Sequence, residues 1–370
     1  MQILTIDVGT GTQDVLLFDS ERELENCFKL VLPSPTVVAA DRIRGATARR
    51  KRLVLQGVTM GGGPSHWATM DHVRAGLEVF ATQDAARTFD DDLAAVADMG
   101  IQVISNDEVF GLREEATEVV FLRDLALGHV LQTLVSFGVQ VRLSALAVAV
   151  FDHGAAPPGF SDRVFRFNYL RERLSSGRGL AGFAFPRRQV PPAMTRLQAV
   201  ADTAPGDLPL LLMDTAPAAV LGALEDRRVG AARSPLVANV GNFHCLAFHL
   251  HDGRAVGLFE HHTGELTPER LGRYIDQLGG GSISNEEVFN DKGHGALVLD
   301  AAPPPDLLAT TGPRRALLVD SGRRPYLAVP HGDMMLAGNF GLLRAYASHD
   351  PEVAESVTRR LGQPRAATAA

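Results

Sequence analysis

Apolar residues fall in short runs broken by glycine and polar turns, and these runs alternate with helical spacings along most of the chain. Residues 3–8 form an apolar run that stops at Gly9-Thr10-Gly11-Thr12; residues 15–18 resume it, and 27–32 predict a third strand. Two strands joined by a short glycine turn read as a hairpin. That separates the segment from dinucleotide and P-loop sites, where a helix follows the glycines. Residues 53–58 predict a buried strand running into Gly61-Gly62-Gly63-Pro64-Ser65-His66, with Ser65 capping a helix that ends near Leu77. Ala85, Phe89, Leu93 and Val96 recur at helical spacing and predict one amphipathic helix. Strands are predicted over 101–104, 119–122 and 139–151, with a helix carrying Leu125, Val130, Leu134 and Phe137. Alternation of strands and helices implies a mainly parallel sheet covered on both faces.

Residues 153–190 break this rhythm with Pro157-Pro158-Gly159, Ser175-Ser176-Gly177 and Pro186-Arg187-Arg188. A second α/β series follows. Residues 208–213 predict a strand, and Asp214-Thr215 a cap for a helix through Leu224. A strand over 236–240 ends at Gly241-Asn242, and 245–250 with 255–259 continue as an antiparallel meander. Thr267-Pro268-Glu269 carries the capping hydroxyl, first-position proline and first-turn acid of a helix start. A late strand is predicted over 316–319, and Gly338-Asn339-Phe340-Gly341 leads into a last helix through Ala347. The expected organisation is a first lobe over 1–152, an insertion or connection over 153–205, a second lobe over 206–350 and a C-terminal tail over 351–370 that frays from Gln363. Each half contains a strand, a glycine turn and another strand. The expected order differs, because 208–224 precedes the second hairpin.

Composition narrows the function. The formal net charge is −7, which argues against broad nucleic-acid binding, since phosphate neutralisation needs clustered Lys and Arg. The one basic run, Arg49-Arg50-Lys51-Arg52, reads as a solvated loop. The N-terminus lacks the basic stretch of a signal peptide, and no apolar run reaches the ~18 residues of a membrane helix. A cytoplasmic protein is expected. The 2 cysteines, Cys27 and Cys245, exclude a disulfide framework or a four-cysteine metal site.

The strongest chemical signal is Ile6-Asp7-Val8-Gly9-Thr10-Gly11-Thr12-Gln13-Asp14-Val15. Glycines let the backbone approach an anion, and turn amides with Thr hydroxyls donate to phosphate oxygens. Asp7 at the strand end is placed to hold Mg²⁺, which prefers oxygen ligands and keeps several waters. Gly61-Gly62-Gly63 forms a second anion-ready loop before a helix. The chain has 12 histidines, several beside glycine or acids: His66, His72, His153, His261, His262, His294 and His331. Adjacent His261 and His262 on a strand point to opposite faces, so one of them would act with His66 or His153 if a cleft joined them. Asp90-Asp91-Asp92 reads as a solvated helix face, and Trp67 as core packing or a pocket wall.

The segment around Asp7 resembles the first phosphate motif of the actin-like ATPase superfamily of actin, sugar kinases and heat-shock chaperones. Val237-Ala238-Asn239-Val240-Gly241-Asn242-Phe243-His244 resembles its second phosphate motif, and Gly338 to Gly341 its adenosine motif. The resemblance implies a two-lobed, duplicated (ribonuclease-H-like) α/β fold binding ATP with Mg²⁺. It places the nucleotide against Gly9, Thr10, Gly11, Thr12, Gly241, Asn242 and Gly338, with Asp7 on the metal. The chain departs from that pattern at Asn239, where Asp is common, and at Gly241 to His244, where a Gly-Gly-x-Thr turn is common. Asn brings no negative charge to a metal.

Thr59 to Pro64, Asp152-His153-Gly154, Phe259 to Thr263 and Gly338 to Arg344 also resemble a prokaryotic family labelled as a pyruvate formate-lyase activating enzyme. A radical-SAM activator needs three closely spaced cysteines for its cluster. Two distant cysteines do not supply them, so the resemblance speaks to fold rather than to that activity. Three readings follow. The first is an Mg-dependent ATPase or phosphotransferase, with Asp152, Glu260 or His261 orienting an acceptor. The second is a nucleotide-dependent switch or activator with little turnover, acting on a protein partner. The third is a metal-dependent enzyme that uses the histidines.

Overall fold

Burial of both faces explains the unbroken apolar strands at the centre of the molecule. The computed structural model describes residues 1–157, 159–177 and 179–363. Strands β1 (Gln2–Val8), β2 (Thr12–Asp19) and β3 (Phe28–Pro33) form an antiparallel meander. The chain then builds a separate parallel sheet from β4 (Arg52–Gly57), β5 (Val79–Thr82), β6 (Ile101–Ile104) and β7 (Thr117–Leu122), in the order β6-β5-β4-β7. It returns as β8 (Leu143–Val150), parallel beside β1. Strand β9 (Ala184–Pro186) and then β10 (Leu210–Asp214) complete the first large sheet, in the order β3-β2-β1-β8-β10-β9.

The second large sheet repeats this plan. Strands β11 (Pro235–Val240), β12 (His244–His251) and β13 (Arg254–His262) form an antiparallel meander. Strand β14 (Gly295–Val298) lies on the β13 edge, β15 (Leu307–Thr311) runs parallel beside β11, and β16 (Tyr326–Leu327) runs parallel to β15. The order β14-β13-β12-β11-β15-β16 therefore contains the same meander flanked by the same two parallel strands. The protein is a duplicated, two-lobed α/β fold.

One apolar core lies between the large sheets and includes Leu16, Ala147 and Met213 from the first with Val237, Leu246 and Phe248 from the second. Two helices fill it, Thr215–Ala223 and Ala337–Ala347. They cross at backbone contact. A Cβ on Gly222 would stand 1.6 Å from the carbonyl oxygen of Ala337, and one on Gly341 1.9 Å from that of Ala218. Only glycine permits such an approach. The crossing sets both helix N-termini against the end of β1, which builds the site described below.

Several predicted elements differ. The strand expected to open the second lobe is β10. It pairs in parallel with β8, with Leu211 and Met213 facing one core and Leu210 and Leu212 another. Its apolar run needs cover on both faces, which the first sheet provides. Both lobes therefore open with their hairpins. The single helix expected over 85–96 is two short ones, Gln83–Ala86 and Leu93–Asp98, because Asp92 caps the second through Ala94 N. The late strand expected over 316–319 is the helix Ala316–Asp320, and the pairing role falls to β15 just before it. Pro351–Leu361, expected within the tail, is a helix capped by Asp350; residues 364–370 lie outside the described residues. Among the described residues no helix is long and apolar enough to cross a membrane.

Candidate functional site

The two hairpin turns are built alike. Gly9 N donates to Thr12 O at 2.9 Å, and Gly241 N donates to His244 O at 2.9 Å. The turns confront each other: a Cβ on Gly11 would lie 2.3 Å from Asn242 Nδ2. Between and beside them opens a cleft of about 360 Å³, lined by Gly9, Thr10 and Thr12 from one turn and by Gly241, Asn242 and Phe243 from the other. Gly11 touches Asn242 at the margin of this cleft rather than lining it.

Asp7 and Asp14 form the floor. They are cross-strand partners in the β1–β2 register and both line the cleft. Thr215 Oγ1 donates to Asp7 Oδ1. Gly338 packs so tightly that a Cβ there would stand 1.9 Å from Asp7 Oδ2. Burial, with the Asp214 charge adding to it against the Thr215 hydrogen bond, pushes Asp7 up to about 7. Burial and then the Asp7 charge push Asp14 up to about 8. Asp14 Oδ1 is buried without a hydrogen-bond partner. Two crowded carboxylates, one oxygen unpartnered, fit a hard divalent cation such as Mg²⁺.

These shifts carry a sign. The folded protein holds protons on Asp7 and Asp14 that the unfolded chain releases near pH ~4. Stability in metal-free buffer should therefore fall as pH rises from about 4 to about 8, then level off. Asp14→Asn should flatten that fall. Melting temperatures recorded in chelator-treated buffer from about pH 5 to about pH 9 check it.

The Gly61-Gly62-Gly63 loop borders the same cleft. Asp124 holds it by accepting from Gly61 N at 3.2 Å while paired twice with Arg196, at 2.6 and 2.9 Å. Thr36 Oγ1 donates to Gly62 O, and Ser34 Oγ donates to Thr10 O at 2.7 Å, which ties the loop to the first hairpin. Ser65, expected as the cap of the helix Pro64–Arg74, lies inside it; Gly63 stands at the cap with φ +62°. Asp91 lines the cleft rather than a solvated helix face. Trp67 is a wall of a neighbouring pocket, with its ring 5.8 Å from that of Phe243.

The three expected bases are placed differently. Asp152 lines the cleft, but its oxygens accept from Gly154 N at 2.8 Å and Leu197 N at 2.9 Å. Glu260 is fully buried and bonded to Arg166 at 3.0 Å. His261 is fully buried beside Tyr274, with Asp291 3.4 Å from its Nε2. Neither Glu260 nor His261 lines the cleft.

Arg166 was not legible in sequence. It sits on the helix Asp162–Ser175 with no exposed surface and joins the lobes, bonding Asp214 at the end of β10, the Asp152 carbonyl at 2.9 Å, and Glu260 of β13. Asp14 and Thr215 were also missed as site residues. The hairpin register gives the signal for Asp14, since a turn centred on Gly9 to Gly11 sets it opposite Asp7. His153 and His244 line the cleft, and His294 stands behind them.

A duplicated fold with facing glycine hairpins over a carboxylate floor has the architecture implied by the resemblance to the actin-like ATPase superfamily. The chain belongs to the family described as "Putative pyruvate format-lyase activating enzyme (DUF1786)", whose profile matches residues 60–317. No curated protein matches the chain in sequence. Among solved structures, it is similar to a "putative N-acetylmannosamine kinase" from Listeria monocytogenes, at 12% identity over 94% of this chain and 99% of that one, TM-score 0.36. It is also similar to a ROK family transcriptional regulator homologous to the E. coli MLC protein, at 11% identity and TM-score 0.26 over 69% of this chain. The chain spans 37% of that regulator's length. An exopolyphosphatase-like protein is similar at 8% identity, 98% and 92% coverage and TM-score 0.25.

Proposed function

We propose that this protein binds ATP with Mg²⁺ in the cytoplasm, holding the phosphates between its two glycine hairpins. The observation that carries the reading is the apposition of Gly11 to Asn242 beside an open, carboxylate-floored cleft. Backbone amides of the two turns other than those of Gly9 and Gly241, which close the hairpins, would donate to phosphate oxygens, with the Thr10 and Thr12 hydroxyls adding donors. Asp7 and Asp14 would hold Mg²⁺ directly or through water. The ion neutralises phosphate charge, which is the main requirement of phosphoryl transfer. Gly338, at the start of the helix Ala337–Ala347, lines the same cleft and packs against Asp7, so it would lie at the metal end of the nucleotide.

A second reading concerns what binding achieves. Asn239 lines the cleft where a carboxylate would assist the metal, and Asp152, Glu260 and His261 are all engaged elsewhere. These placements favour a nucleotide-dependent switch or activator with little turnover, acting on a protein partner, over a fast ATPase or phosphotransferase. Mg-ATP present at ~100 times its dissociation constant should stabilise the fold by about 2.7 kcal/mol, and metal-free ATP by less. Thermal-shift measurements with and without Mg²⁺ test binding. Phosphate release measured on the same samples separates switch from ATPase. No stabilisation by any nucleotide would end the proposal.

A further inference from the structure

His153, His244 and His294 are brought together from three elements and both large sheets. His153 follows β8, His244 opens β12 and His294 precedes β14. One ring nitrogen of each lies within 4.8 Å of the other two. His153 Nε2 and His294 Nε2 stand 3.0 Å apart. That is near the separation of two nitrogens on one tetrahedral ion, whose metal–nitrogen bonds are ~2.0–2.1 Å. His244 Nε2 is buried without a partner. Its ring is fixed by stacking on Phe151, with centroids 3.9 Å apart and planes within 7°.

The surroundings complete a ligand shell. His294 Nδ1 faces Glu260 Oε1 at 3.5 Å, and neither atom has a hydrogen-bond partner. A carboxylate behind a ligating imidazole fixes its tautomer and raises its basicity. The other Glu260 oxygen is held by Arg166, so the carboxylate cannot swing away. His153 Nε2 and His294 Nε2 are within hydrogen-bond distance of each other, but His244 Nε2 and His294 Nδ1 are buried without a partner, which folded proteins rarely tolerate without cause.

We propose that His153, His244 and His294 form a binding site for a divalent transition metal of the zinc class, with Glu260 positioning His294 and a fourth coordination place open to the cleft. The donor set selects the metal. Imidazole nitrogens suit Zn²⁺, Cu²⁺, Fe²⁺ or Ni²⁺, whereas Mg²⁺ takes oxygens. This site is thus chemically distinct from the Asp7–Asp14 floor. His153 and His244 line the cleft while His294 is buried behind them, so the open place faces whatever the cleft holds. In three-histidine sites that place takes water or a substrate oxygen. The inference goes beyond nucleotide binding and does not depend on it.

The test uses the full chain without nucleotide. Protein stripped with chelator is loaded with Zn²⁺, dialysed and analysed for metal, and a second sample is titrated with Co²⁺. We expect about one Zn²⁺ retained per chain and an intense visible Co²⁺ spectrum of low coordination number. His153→Ala and His294→Gln should each weaken Zn²⁺ binding at least about tenfold, whereas His129→Ala, exposed on a separate helix, should match the parent chain. If the variants do not fold, the Co²⁺ spectrum of the parent chain decides alone. Failure of the parent to retain Zn²⁺ or to give that spectrum overturns the proposal, as would folded variants that bind like the parent. Nucleotide binding with Mg²⁺ is read separately by thermal shift, so loss of one conclusion leaves the other standing.

Discussion

Replacing Arg166 with leucine should destabilise the protein by about 3–5 kcal/mol, the cost of removing one partner from a buried ion network. The guanidinium has no exposed surface. It satisfies Asp214, Glu260 and the Asp152 carbonyl together, and stacks 4.5 Å over the Phe151 ring. Leucine would fill part of the volume but leave two buried carboxylates facing each other. Each would have to take up a proton or unfold its surroundings to reach water. Glu260, already raised to about 6 by burial, would rise further once Arg166 no longer opposes that shift. The damage should therefore be larger at pH 8 than at pH 5, whereas loss of an exposed pair, whose carboxylate is ionised at both values, would cost about the same at each. Urea unfolding at the two pH values measures it. A change below about 1 kcal/mol, the range of exposed ion pairs, would contradict the account.

Asp7→Ala should act in the opposite way. It removes a buried carboxylate whose charge is penalised by its setting, so the fold should be unchanged or more stable above about pH 7. Mg-ATP affinity should fall at least about 100-fold. Residues merely behind a metal ligand cost 10–100-fold when removed, and a ligand itself should cost no less. A gain in stability with a loss of function marks a residue held in place for binding rather than folding. Titration calorimetry of the parent chain and the variant gives both affinities. Equal affinity would remove Asp7 from the site.

The sequence showed most clearly what local chemistry dictates. Gly9 and Gly241 close equivalent turns, and their glycine, threonine and asparagine neighbours exposed both hairpins. Thr267 and Pro268 announced their helix, which starts at Pro268 with Thr267 accepting from Arg270 N. What it hid depends on long-range pairing. The run at β10 looked like the start of a second unit because nothing local says that Leu210 will pair with Leu146. Arg166 sat in a segment broken by proline and glycine, and its burial follows only from Asp214 and Glu260 arriving from two sheets. The histidine cluster was hidden for the same reason. His153, His244 and His294 each border a strand, and only the sheet order of the two lobes makes them neighbours. His261 drew attention through its neighbour His262, yet the β13 alternation turns it into the second-lobe core beside Tyr274.

The measurement that bears most directly on this account is a crystal structure of the chain grown with Mg²⁺ and a non-hydrolysable ATP analogue at saturating concentration. Phosphate density should lie between residues 9–12 and Gly241-Asn242, with the metal within reach of Asp7 and Asp14. Density elsewhere on the molecule, or side chains of the two hairpins closed on each other with the ligand excluded, would refute it.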